Sequence, residues 1–562
     1  IMSFNHFDYV PSSINKSRSV FRFNKAIATS AYVGWLYPMC APVRMMPGST
    51  LKLNLAMEIR TGALIAPLMD ELECDVFAFN VPNRIVWEHW KQFLGAVDDV
   101  LFDNLSNYNI PSFKYSAPTI SGRTDADAWV WNQMLACHFE LPYVKTTTTN
   151  NAPTVSALPF RGYDFIWNEF FRPEQLIQPI LFSKTDAGYS GANMKFTTSN
   201  YSFIDSATIL PVPQPGAGAS SGINTGGCIL PTYRVHRSLW TSVLPKPSLE
   251  SPSLLSAVSG FPYQTNTGGL SISTSGTITA GSASQNTDWS NVVLTVNQLR
   301  ETLLLQNYYD TLNRAGSRYD EIMRNLFHTT AADAIIDIPE LIVHKRFTIY
   351  RNQVVATAET IDAEGSTVNP VGSQGAFIDT IIKDSFFTKS TTEHGYVHML
   401  YTIRPARIRM CSGIEPQWRQ LDKFSQYYPQ FDGMGDVARF KDEVYYSTSS
   451  TESAQKVILG YQEYGAEWKY QRNSATGFLD PNSPFPIGGY TLVEKLTNAP
   501  TLNDGPGFPG YFTCWSEFEA MGRCLAITSP LVAPQFVLDI RLVGEVVHPM
   551  PVYNIPGMGD VL

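Results

Sequence analysis

Stretches in which polar and apolar side chains alternate with a period of two recur along this chain, far apart from one another. Lys52-Leu53-Asn54-Leu55-Ala56-Met57-Glu58-Ile59-Arg60 alternates cleanly behind the turn signal Met46-Pro47-Gly48. Successive side chains of a strand point to opposite faces, so this segment reads as a strand with one buried face. Cys74 to Val81 reads as a second strand, stopped at Pro82 and followed by an amphipathic helix over Trp87 to Leu94 with Gly95 as its stop. Alternation returns at Val397 to Arg404 and at Phe536 to Val543. Strands so widely separated fit a mainly β fold, an antiparallel sandwich with long connections that hold short helices. The strongest helical pattern lies over Leu294 to Phe327, where Leu299, Leu303, Leu304, Tyr308 and Leu312 are spaced by three and four, interrupted near Gly316.

Charged residues are only 16% of the chain, against a usual share of about 25%, while hydrophobic residues are 44%. A large core with a weakly charged surface suits contact between copies of the same chain. Aromatic residues, at 12%, favour half-buried pleated surfaces and interfaces. The formal charge of -9 argues against a general polyanion binder. Locally the balance reverses: Tyr9 through Met57 holds no Asp or Glu but contains Lys16, Arg18, Arg22, Lys25, Arg44 and Lys52. Residues 1–45 are therefore expected to form a basic extended arm. Residues 205–290 change texture, with Pro211, Pro213 and Pro215, then Gly216 to Gly222, then an uncharged Gly/Ser/Thr stretch over Gln264 to Thr287 carrying Leu270, Ile272 and Ile278. That composition reads as a surface insertion, its uncharged stretch an exposed β-ribbon or a long loop rather than core. Residues 530–562 are expected to give a last strand and an extended tail.

Little in the sequence favours catalysis. The seven cysteines are widely spaced with no Cys-x-x-Cys pair, so buried free thiols in a reducing cytoplasm are expected rather than disulfides or a zinc ribbon. No apolar run reaches about 18 residues and the start lacks a signal peptide, so no membrane partner is expected and folding is placed in the cytosol. The first residue is Ile rather than Met, so a few residues are expected to precede it. Gly505-Pro506-Gly507-Phe508-Pro509-Gly510 has dinucleotide-type glycine spacing without a βαβ context, and reads as a rigid loop. His394 and His398 would lie about 13 Å apart on one strand face, too far to share a metal. Asp98-Asp99 reads as a solvated turn. No catalytic residue, cofactor or metal site is assigned. Nucleic-acid contact is the chemistry with the best physical case: Lys16, Arg18, Arg22 and Lys25 are interleaved with Phe21 and Phe23, which could stack on unpaired bases, and Arg404, Arg407 and Arg409 supply guanidinium forks suited to phosphate.

Several blocks, in order along the chain, resemble the major capsid proteins of gokushoviruses in the Microviridae. They are Phe79-Asn80-Val81-Pro82-Asn83-Arg84-Ile85-Val86-Trp87, Arg314-Ala315-Gly316-Ser317-Arg318-Tyr319, Glu393-His394-Gly395-Tyr396 through Arg404-Pro405, Gly460-Tyr461-Gln462-Glu463 with Ala466-Glu467-Trp468-Lys469-Tyr470, and the tail Pro549 to Met558. The chain departs from the family at Leu341-Ile342-Val343-His344 and at Ala406-Arg407-Ile408-Arg409. The resemblance implies one viral jelly roll of eight strands over the whole chain, self-assembled into a T=1 icosahedral shell around a circular single-stranded DNA genome. It implies a bacteriophage virion assembled in the bacterial cytoplasm, with a scaffolding protein and a small basic DNA-binding virion protein as partners. The insertion would then form a threefold protrusion, with Leu270, Ile272 and Ile278 as candidate contacts to a host surface receptor such as a saccharide. Two other readings stand beside it: a monomeric carbohydrate-binding β-sandwich, and a glycoside hydrolase, which would need a pair of carboxylates about 5 to 9.5 Å apart that nothing in the sequence selects.

Overall fold

The computed structural model describes residues 18–94, 108–115, 131–144, 151–172, 229–232, 238–246, 337–350, 374–447, 457–483, 486–496, 515–527 and 533–553, with short pieces at 179–180, 183–186, 201–205, 208–211, 271–272, 278–279, 300, 303–307, 352–355, 360–361 and 367–369. Five core strands follow closely at the start: β1 (Ser19–Ala31), β2 (Trp35–Pro38), β3 (Val43–Met45), β4 (Thr50–Thr61) and β5 (Leu72–Pro82). After the connection 83–339 come β6 (Glu340–Ile349), β7 (Asp379–Ser390) and β8 (Gly395–Pro405), and after 406–535 comes β9 (Phe536–His548).

These strands make two facing sheets. The first is four-stranded and antiparallel, in the order β1-β9-β4-β7. The second runs β2-β8-β5-β6, with β3 prolonging the β2 edge along β8. With β2 and β3 counted as one broken edge, the order is that of an eight-stranded jelly roll, in which early and late strands interleave in both sheets. The first and last strands pair along their whole length, from Ser19 opposite His548 to Ala31 opposite Phe536.

Alternation builds the core. Leu51, Leu53, Leu55, Met57 and Ile59 of β4 point inward between exposed Lys52, Asn54 and Arg60, as the period of two predicts. Phe536, Leu538, Ile540, Leu542 and Val546 of β9 meet them from the next strand. The outer side of the second sheet is covered too, so β8 is buried on both faces from Val397 to Pro405. Its cover is α1 (Leu158–Ile166) and the π turn Trp167–Phe171. Tyr163 Oη donates to Leu36 O at 2.7 Å and accepts from Leu230 N at 3.0 Å, fixing α1 against the sheet edge. Gly162 lets α1 approach β8, because a Cβ there would stand 2.6 Å from His398 Nε2.

Three sequence expectations are corrected here. The arm over 1–45 is not a separate arm from residue 19 onward: β1, β2 and β3 are integral to the sandwich, and of the basic residues of β1 Arg22 points outward while Lys25 points inward. The helix over Trp87 to Leu94 is two single turns, Asn83–Val86 and Trp90–Phe93, split where Trp87 Nε1 donates to Asp186 Oδ1 at 2.8 Å. The segment 205–290 is not one projecting insertion, since Leu230–Pro231 adds to the β2 edge and Trp240 is buried. Leu239, Trp240 and Val243 form a second small core with Met410, Val444, Leu459 and Ala466 of the β8–β9 connection. Trp240 Nε1 donates to Glu443 Oε2 at 2.7 Å, satisfying the indole where it is buried. Within residues 530–562 the single strand β9 ends at His548, and of the tail, residues 549–553 are described, with Val552 and Tyr553 exposed.

Of the long helical pattern, residues 300 and 303–307 are described and helical, and the rest lies outside the described residues, as do Asp98-Asp99 and Gly505 to Gly510. The expected ribbon is described as Ser271–Ile272 paired antiparallel with Ile278–Thr279, Ile272 facing Ile278 in register; Leu270 lies outside the described residues.

Candidate assembly surface and nucleic-acid interface

Among the described residues nothing packs over the outer face of the β1-β9-β4-β7 sheet, where Val20, Ile381, Val537 and Val543 are all exposed. Register arranges this face in rows. Arg22, Glu545 and Lys52 lie side by side; Ala26, Arg541, Ala56 and Lys383 form another row; Ala28, Asp539, Glu58 and Ile381 form the next. Small side chains on β1 and β4 keep the surface flat. Arg541 pairs with Asp539 at 2.9 Å, and Arg60 pairs with both Glu58 and Asp379, so most charge there is internally balanced.

The surplus of positive charge lies at one end. Arg18, Arg22 and Lys52 cluster beside the loop before β4, and Arg18 lies against Gly48, whose Cβ, if present, would be 3.3 Å from Arg18 Nη2. Gly48 has φ +77°, a conformation glycine adopts without strain. Among the described residues, none of these three cations is ion-paired. That arrangement suits loose, sequence-independent contact with phosphates.

The other expected nucleic-acid residues are placed differently. Phe21 and Phe23 lie on the inward side of β1 and pack on the core, so they are not presented to bases. Lys25 shares that inward side and pairs with Glu140 at 2.7 Å. Arg404 is buried and bound to Asp75, a fully buried carboxylate that also accepts from Arg346 Nε at 2.9 Å and meets His344 Nε2 at 3.2 Å. Burial pushes the Arg404 guanidinium below its ordinary range, while the Asp75 hydrogen bond holds Arg346 above its own. Arg409 binds Asp70, whose other oxygen accepts from Leu492 N at 2.5 Å. Arg404 and Arg409 are therefore intrasubunit ties rather than phosphate forks. Arg407 is exposed, and Lys16 lies outside the described residues.

His398 is buried with neither ring nitrogen hydrogen-bonded, whereas His394 packs edge-on to Trp90 with ring centroids 5.7 Å apart. Among the described residues no group of three His, Cys, Asp or Glu could hold a metal ion. The five described cysteines are free, and burial pushes the thiols up, to about 12 at Cys40 and Cys524 and about 11 at Cys137, which keeps them protonated and unreactive at neutral pH.

Comparison with known proteins bears on this architecture as a whole. The family described as "Capsid protein (F protein)" matches residues 9–558. The chain is 27% identical to "Capsid protein VP1" of Bdellovibrio phage phiMH2K, over 98% of this chain and 97% of that protein. It is 26% identical to "Capsid protein VP1" of Chlamydia phage 1, over 99% of this chain and 98% of that protein. It is 25% identical to "Capsid protein VP1" of Spiroplasma virus 4, over 91% and 90%.

Proposed function

The chain belongs to the capsid protein (F protein) family of phages, and from that premise we propose that it is the repeating subunit of a small T=1 icosahedral shell that encloses circular single-stranded DNA. The observation that carries this reading is the jelly roll with one sheet face covered by its own connections and the other bare among the described residues. Long connections on one side supply area for contact between neighbouring subunits, and low overall charge lets aromatic and apolar loops bury against each other. The bare, flat sheet faces the enclosed genome in this proposal. Its near balance of charge fits weak packing of a strand whose neutralisation is shared with a small basic virion protein.

Shell formation is tested by expressing the chain with its natural neighbours, including a scaffolding protein, in the bacterial cytoplasm, then sedimenting and imaging the fast fraction. Uniform small icosahedral particles are expected. Monomers alone would overturn the proposal and favour the carbohydrate-binding sandwich.

Genome contact is assigned to Arg18, Arg22 and Lys52, with Arg407 and Lys16 as further candidates. Changing Arg18, Arg22 and Lys52 together to Gln is expected to leave shells intact but lower the slope of log retention against log salt by about two, at about 0.7 per phosphate contact for a single strand. DNA retention measured across a salt series decides it; an unchanged slope removes the three residues from the interface. Lys25→Gln should leave that slope alone, because Lys25 is tied to Glu140. Host attachment, through a saccharide or another surface receptor, is the remaining part of the proposal, with the Ile272 to Ile278 ribbon as its first candidate contact.

A further inference from the structure

A cleft of about 630 Å³ opens in the β8–β9 connection, well away in sequence from the ribbon. It is lined by Tyr427, Asp432, Glu463, Trp468 and Lys469, with Gly433 and Gly435 among the lining. It forms at the end of a short antiparallel ladder in which Asp436–Phe440 pairs with Ile458–Glu463. Beyond that ladder Gly435 and Gly465 both take positive φ, +86° and +74°, and turn the two chains apart. Tyr464 N still donates to Gly435 O at 3.1 Å, so the mouth is held by backbone.

The aromatic wall is fixed in place. Tyr427 stacks on Tyr464 with centroids 5.4 Å apart at 25°, and lies over Gly465, where a Cβ would be 2.9 Å from its ring. Tyr464 Oη donates to Gln426 O at 3.3 Å and accepts from Tyr428 N at 2.9 Å. Tyr427 Oη donates to Asp432 Oδ1 at 2.5 Å, orienting that carboxylate. Across from it Lys469 Nζ meets Glu463 Oε1 at 2.9 Å. Trp468 nevertheless stays 61% exposed on a single helical turn, Ala466–Lys469. A large indole left in solvent beside two carboxylates and an amine is a poor core residue but a good platform.

We infer that this cleft is a binding site for a neutral saccharide of one to a few rings. The electron-rich faces of Trp468 and Tyr427 suit the C–H-bearing face of a pyranose. Asp432 and Glu463 accept from vicinal hydroxyls while Lys469 donates to a ring or hydroxyl oxygen. Two carboxylates against one ammonium repel phosphate, which disfavours nucleotides and DNA. The volume falls within the range of small-ligand sites, about 300 to 1,000 Å³. The binding inference stands apart from shell formation; its use in recognising the host rests on the attachment reading above.

The test is calorimetric titration of the full unassembled chain with glucose, galactose, mannose, N-acetylglucosamine and their disaccharides, with an eight-nucleotide oligothymidylate alongside. At least one sugar is expected to bind saturably at millimolar concentration, and the oligonucleotide not to compete. Trp468→Ala should weaken binding by about tenfold, the scale of one lost stacking contact. Gly433→Val should weaken it as well, because Gly433 lines the cleft and a branched side chain there, whose Cβ meets nothing within 4 Å, adds bulk to the lining. Both variants should keep the parent's urea midpoint. Absence of saturable binding by every sugar, displacement by the oligonucleotide, or binding untouched by both substitutions would overturn the inference. Phage adsorption is then measured with the same variants: sugar binding lost with adsorption unchanged would uphold the site and remove the attachment reading alone.

Discussion

Replacing Asp75 with alanine is expected to destabilise the subunit by about 3 to 5 kcal/mol, the usual consequence of leaving a buried charge without its partner. Asp75 is fully buried on β5, with Arg346 of β6 directly opposite and Arg404 of β8 bound to its second oxygen. Removing the carboxylate strands Arg404, which is itself buried, and frees Arg346 and His344 from their shared acceptor. Glu73 lies opposite Arg404 in register and 3.4 Å from Arg346, so it recovers part of the loss and places the expectation toward the lower end. The tie joins three adjacent strands of one sheet, so its loss should also lower the yield of particles. Urea unfolding of the unassembled chain measures the first effect and gradient sedimentation the second. Changing Asp75 to Leu and Arg404 to Met together should recover more than half of the stability, because an apolar pair leaves no charge unpaired. An Asp75→Ala chain that unfolds at the parent's midpoint would show that Arg404 reaches water or another carboxylate.

That pair also shows where the sequence stops being readable. Arg404, Arg407 and Arg409 look alike as a basic run, but only the fold brings Asp75 to the first and Asp70 to the last, leaving Arg407 alone exposed. Strands β4, β5, β8 and β9 were legible because their apolar residues recur with period two or in a run closed by proline. Strand β1 carries the same alternation, in Phe21, Phe23, Lys25 and Ile27 against Arg22, Asn24, Ala26 and Ala28, but its positive charge drew the reading toward a free arm. Double-sided burial of β8 was not legible, since it depends on α1, contributed by a distant connection. The small core around Trp240 was hidden for a related reason: low-charge, proline-rich flanks masked one indole that another long loop covers. The cleft at Trp468 falls inside a block quoted for its family likeness, yet nothing in spacing reveals that the indole stays exposed. Backbone turns at Gly435 and Gly465 decide that.

Acidification should weaken the same sandwich through two histidines that the fold keeps neutral. Burial pushes His398 down to about 3 and His138 to about 4, from an ordinary value near 6.5. His138 has partners for its neutral form, donating from Nε2 to Asn132 O at 2.9 Å with Thr29 Oγ1 at 3.3 Å from Nδ1. His398 has none; it lies among Phe139 and the Gly162 turn of α1, with its ring sealed from water. In both cases the unfolded chain takes up a proton that the folded chain refuses. Stability is therefore complete above about pH 6.5 and falls as the pH drops from there toward the folded values. At pH 4 each ring contributes a loss on the order of 3 kcal/mol at about 1.4 kcal/mol per pH unit, and together they approach the whole stability of an ordinary domain. His398→Leu removes the titrating group and two unsatisfied nitrogens at once, so it should cost little at pH 7 and return roughly the His398 share of the loss at pH 4. Urea midpoints across pH 4 to 8 for the parent and His398→Leu decide the matter. Parallel curves would mean that the imidazole is protonated inside the fold, and that α1 moves away from β8 in acid to let it.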